Sequence, residues 1–149
     1  RGFSLVELLI VLAVIAALIA TITPVALNAI RKSQATKVAQ NIKTLASSFE
    51  NYLYVEGNDK VPIHGQLKTL GRDIDENAYN LAYTETTTDG FTVYVWTSEE
   101  AHYETLKAAV SDIIDDSKTQ MSIPSSAVRL GNLPDASATY YYTFTFVVY

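Results

Sequence analysis

The 149-residue chain has no cysteine, which excludes a disulfide framework and any thiolate metal site. Histidine is nearly as scarce. His64 and His102 stand apart, with no second ligand at metal-binding spacing, so they read as surface or loop residues and not as a zinc or catalytic centre. No Ser-His-acid spacing, glycine-rich phosphate loop or carboxylate pair on a recognisable scaffold occurs, and the reading is of a protein that is not an enzyme and carries no cofactor. The formal net charge of −5 leaves no basic face of the size that binds a duplex, so no specific nucleic-acid partner is expected.

Charge is also missing from one long stretch. Between Leu8 and Ile30 there is no charged residue, and as a helix these 23 residues would extend roughly 34 Å, enough for the ~30 Å hydrocarbon layer. A cleaved signal peptide has a shorter apolar core of about 7–15 residues ending in a small-residue cleavage site, whereas this stretch runs on into a helical pattern. Glu7 sits immediately before the apolar run, where an isolated carboxylate would cost several kcal/mol unless paired or neutralised.

After Lys32 the apolar residues fall at Val38, Ile42, Leu45, Phe49 and Leu53, one stripe on one helical face. Helix formers continue across the junction, which predicts one helix over residues 4–55, greasy all round in its first half and amphipathic in its second. Pro24 removes a backbone hydrogen bond, placing a kink or loosening near residues 20–24, with Thr21 and Thr23 able to bond freed carbonyls. Gly57 and Asn58 supply the stop.

Residues 61–80 read as a loop with a short helical turn at 66–70. A β-hairpin follows, with strands 79–86 and 91–97 about Asp89 and Gly90. Thr97 and Glu100 have capping-box spacing ahead of a second helix over 99–115, carried by Leu106, Val110, Ile113 and Ile114. Residues 140–149 alternate as a strand, with Tyr140 and Tyr142 on one side and Tyr141 on the other. The fold class is α+β: a long N-terminal helix on a small antiparallel head sheet of three or four strands, with one extra helix. The organisation is a hydrophobic helix over 1–30 and a head over 31–149 that includes the amphipathic half, 31–55. The acids Asp73, Asp75 and Glu76, and Asp112, Asp115 and Asp116, lack EF-hand spacing and read as solvated faces.

The opening "RGFSLVELLIVLAVIAALIA" resembles the N-terminus of the type IV pilin and type II secretion pseudopilin family, with Arg1, Gly2, Phe3 and Glu7 filling its motif positions and Pro24 matching a proline common in its helix. The resemblance implies a pilin-like fold and processing by a prepilin peptidase that cuts after Gly2 and methylates the new amine of Phe3. Arg1 and Gly2 then belong to the leader. It implies a single-pass precursor in the cytoplasmic membrane, handed by inner-membrane assembly machinery to an extracellular helical homopolymer of identical subunits, used for adhesion, motility or DNA uptake. Phe3 and Glu7 of neighbouring subunits would meet in assembly. Leu8, Val11, Ala13, Ala16, Ala17 and Ala20 would line the filament core, the alanines allowing close helix approach. A pseudopilin of a type II secretion system is the alternative within the family; a monomeric membrane-anchored ligand-binding ectodomain is the alternative outside it. Many pilins close their C-terminal loop with a disulfide, and here strand pairing of residues 144–148 takes that place.

Overall fold

A computed structural model describes residues 2–86 and 90–149. One helix, α1 (Leu5–Glu56), is 52 residues and about 78 Å long. It has no internal glycine, Ser4 caps its start, and Gly57 ends it at φ 79°, a left-handed value that costs only glycine nothing. The backbone stays α-helical through Pro24. The hydroxyls of Thr21 and Thr23 donate to the carbonyls of Leu18 (2.9 Å) and Ile19 (2.8 Å), one turn back, and not to that of Ala20, which Pro24 deprives of its N–H.

Burial along α1 begins at Ala35. From there Ala35, Val38, Ala39, Ile42, Leu45, Ala46, Phe49 and Leu53 are buried, all five residues of the expected stripe among them. They pack on a five-stranded antiparallel sheet made of β1 (Tyr79–Glu85), β2 (Gly90–Thr97), β3 (Ile114–Asp115), β4 (Val128–Arg129) and β5 (Tyr140–Val147), in the order β3-β5-β2-β1-β4. The expected three or four strands become five because β3 and β4 are two residues each, too short to show a period of two. β1 ends at Glu85 and β2 already starts at Gly90, which is strand and not turn; Asp89 lies outside the described residues. A one-turn helix, α2 (Leu67–Leu70), buries its two leucines.

The second helix is shorter than expected: α3 spans Tyr103–Ala109, and no capping box forms. Thr97 belongs to β2, where its hydroxyl donates to the Ala78 carbonyl (2.8 Å) and accepts from the Glu99 N–H (3.1 Å), so it caps nothing. Leu106, Val110 and Ile113 are buried, but only Leu106 lies within the helix, and Ile114, expected in it, pairs with Tyr141 as part of β3.

The sheet has two unequal faces. Toward α1 lie Tyr79, Leu81, Tyr83, Phe91, Val93, Val95 and the half-buried Tyr142, Phe144 and Phe146. Trp96, Ala82 and Tyr141 point the other way, under Met121, Ala127 and Leu133 of the long segment before β5. Tyr140 and Tyr142 thus part from Tyr141 as alternation requires.

Asn80 joins that segment to the sheet. Fully buried, it donates to the Leu133 carbonyl (2.9 Å) and accepts from the N–H groups of Gly131 (2.6 Å) and Leu81 (2.8 Å). Gly131 is needed for the approach, since a Cβ there would stand 2.8 Å from Asn80 Oδ1 and 2.9 Å from Leu67 Cδ2. Asn80→Ala strands the Gly131 N–H and the Leu133 carbonyl, and should destabilise the head by about 2–4 kcal/mol in urea unfolding. A loss within experimental error would remove Asn80 as the clasp.

Burial pushes the Tyr83 phenol up to about 12, with the charge of Glu85 adding to it. The neutral phenol is the form the fold holds. Its contribution is therefore complete below the ordinary value of 10.0 and is lost as pH rises from there toward 12. Unfolding free energy measured across that window should fall more steeply for the native chain than for Tyr83→Phe; parallel curves would contradict the linkage.

Candidate functional site

At the start of α1 the chain builds a small hydrogen-bonded unit. Ser4 has an extended backbone (φ −75°, ψ 158°); its hydroxyl accepts from the Glu7 N–H at 3.2 Å, and its own N–H donates to Glu7 Oε2 at 2.7 Å. This is a capping box, with two otherwise orphaned N–H groups satisfied reciprocally. It also fixes where the Glu7 carboxylate sits, at the positive end of the helix dipole, held by one oxygen. Ser4 is the site residue that sequence reading passed over, although the S-x-x-E spacing ahead of an apolar run was there to be read.

Phe3, one residue before the cap, is 90% exposed. Every residue from Gly2 to Gln34 is exposed, including Leu8, Val11 and Pro24, at which the expected break of the helix does not occur. The helix is long and apolar enough there to cross a membrane. Ala13, Ala16, Ala17 and Ala20 fall within an arc of about 100° on one side of it, a strip without bulk where another helix backbone can come close. The structure therefore gathers Gly2, Phe3, Ser4 and Glu7 at one helix end and the four alanines on one flank.

Among the described residues the head offers no comparable chemistry. His64 Nδ1 is 3.1 Å from the Arg129 carbonyl, and His102 Nδ1 is 2.9 Å from the Thr105 hydroxyl; both residues are exposed. Asp75 accepts from the backbone and side chain of Asn77, Asp115 from Ser117, and Asp116 from the Met121 N–H. Among the described residues no three His, Asp or Glu side chains converge as a metal site.

Residues 1–23 match the prokaryotic N-terminal methylation motif. The match ends inside the apolar half of α1 and does not reach the head. No curated protein and no solved structure matches the chain.

Ser4→Ala opens the capping box and should weaken the first turn by about 1 kcal/mol. In detergent micelles, amide exchange at Glu7 should accelerate about fivefold while head amides are unmoved. Unchanged exchange at that amide would mean that the box does not hold the turn.

Proposed function

We propose that this chain is a structural subunit of an extracellular type IV pilus filament, on the strength of the methylation motif, which is the class III signal of type IV pilins and pseudopilins. One observation carries the reading: the motif lies on a helix whose first half has no cover from its own head. So large an apolar surface needs either lipid or other copies.

Before assembly, residues 8–30 would anchor the chain in the cytoplasmic membrane with the head outside it. A prepilin peptidase would cut after Gly2 and methylate Phe3. The new ammonium then lies beside the capping box. On leaving the bilayer, the helix exchanges lipid contact for contact with identical subunits, the alanine strip allowing close approach. The contact is head-to-tail and does not close on itself, so growth continues as a fibre.

Glu7 supplies register. Ser4 N–H holds only one of its oxygens, leaving the other to meet the Phe3 ammonium of a neighbouring subunit. A charge left unpaired inside the apolar core is expensive, so only the axial offset that pairs the two is tolerated. Catalysis has no part in this reading, and what the filament touches follows from the exposed head surface.

The test is electron microscopy of filaments sheared from cells, with mass spectrometry of the subunit N-terminus. Long filaments starting at methylated Phe3 are expected; short or undetectable ones from cells holding processed subunit would favour the pseudopilin. Glu7→Ala should leave a folded, membrane-resident subunit whose filament yield drops about tenfold or more. Normal yield from that variant would overturn the pairing of Glu7 with Phe3.

A further inference from the structure

Where the apolar half of α1 ends, the chain changes character within about one turn. Ile30 closes the uncharged run, Arg31 and Lys32 follow it, and burial against the head begins at Ala35. Only five residues, about 7.5 Å of helix, take the chain from Ile30 to Ala35. With residues 8–30 across a bilayer, the underside of the head lies where hydrocarbon gives way to headgroups. The other end agrees: Glu7 and Arg31 are 24 residues, about 36 Å, apart, a little more than the ~30 Å hydrocarbon layer between them.

At that level the underside carries an open groove of about 480 Å³. Arg31 and Gln34 of α1 line one wall; Glu100, Ala101 and His102, from the segment between β2 and α3, line the other. One wall thus holds a guanidinium and the facing wall a carboxylate. Both Arg31 and Glu100 are exposed, and among the described residues neither joins an ion pair, with the other or elsewhere.

The charges around the groove sharpen this division. Lys32 adjoins Arg31 on the helix side. On the loop side Glu100 and Ala101 also border a second groove, whose far wall holds Asp115 and Asp116. Glu99 accepts from the Tyr79 hydroxyl, Asp115 has Lys118 at 4.0 Å and the Ser117 hydroxyl, and Asp116 accepts from the Met121 N–H. Glu100 is the acid of this group without such a partner among the described residues. Opposite charges held apart across an open groove suit a ligand that carries both signs itself.

We propose that this groove binds the headgroup of an ethanolamine phospholipid, its phosphate on Arg31 and its ammonium on Glu100, a reading that rests on the proposed membrane anchoring of residues 8–30. A guanidinium offers paired N–H donors to phosphate oxygens. A primary ammonium donates hydrogen bonds to a carboxylate; a choline headgroup has the same charges but no N–H, and a glycerol headgroup has no cation at all. The lipid, and not a soluble ethanolamine phosphate, is the occupant because the groove sits at headgroup depth and the acyl chains continue down the apolar half of α1. Two attachment points on facing walls hold the head upright and oppose rotation of α1 about its own axis. Each contact is exposed and weak, so the subunit gives up the lipid when it leaves the bilayer.

The full chain is reconstituted in nanodiscs of equimolar phosphatidylethanolamine and phosphatidylcholine, and the lipids retained on release are counted by native mass spectrometry. Phosphatidylethanolamine should be retained about fivefold over phosphatidylcholine, the upper end for one exposed charged contact. Glu100→Gln should erase that preference, and Arg31→Gln should lower retention of both lipids about fivefold. Lys32→Gln, off the groove, should leave the preference as it was. All three positions are exposed, and thermal unfolding of the head checks that each variant is folded. Equal retention of the two lipids, a preference that survives Glu100→Gln or is lost with Lys32→Gln, or indifference to Arg31→Gln would overturn the site. Loss of the preference in millimolar glycerophosphoethanolamine would overturn the lipid as its occupant. A chain that does not enter nanodiscs overturns the anchor and this proposal together, whereas an inserted chain without a preference overturns the headgroup site alone.

Discussion

Everything in this molecule depends on one helix having to satisfy two surroundings. From Ala35 onward α1 has a sheet to bury its apolar stripe; before that it has nothing of its own. Because the backbone is one uninterrupted helix, the halves are mechanically coupled. A shift in the axial position of Glu7 displaces the head by the same amount. In the proposed filament, a register set by one carboxylate in the core would thus be read out at the head, whose packing on the helix begins at Ala35, about 42 Å of helix away.

A head without cysteine must hold its C-terminal region by other means. β5 lies between β2 and β3, paired with β2 along its full length. The segment before it is pinned to the outer face by the Asn80 clasp, by Trp96 Nε1 donating to the Pro134 carbonyl at 3.3 Å, and by the Arg129 guanidinium on Asp135. A disulfide acts mainly by restricting the unfolded chain; these contacts act in the folded state and depend on burial and geometry.

Much of this was legible in the sequence wherever a period ran long enough. The stripe from Val38 to Leu53 is buried as read, and the hairpin strands and the Thr-aromatic strand β5 stand within two residues of their expected bounds, β5 and its pairing ending at Val147 and not running to residue 149. What was missed is of two kinds. β3 and β4 are held by their partners Tyr140, Tyr141, Ala82 and Tyr83, and two residues cannot display a period. Thr97 and Ser4 make the opposite pair of errors: identical capping chemistry was assigned to Thr97, which a strand claimed, and overlooked at Ser4, where it operates. Local spacing proposes a cap, and whether the residue is free of a sheet decides it.

The open edge of β5 follows from the same division of labour. A strand rich in Thr and aromatics pairs strongly, which serves a C-terminal strand that must be held without a covalent link. That composition does not distinguish the side facing β2 from the side facing solvent, so its affinity for a neighbouring strand persists wherever the sheet stops. β3 ends two residues into β5, and from there, among the described residues, only Tyr54 reaches over to an outward carbonyl.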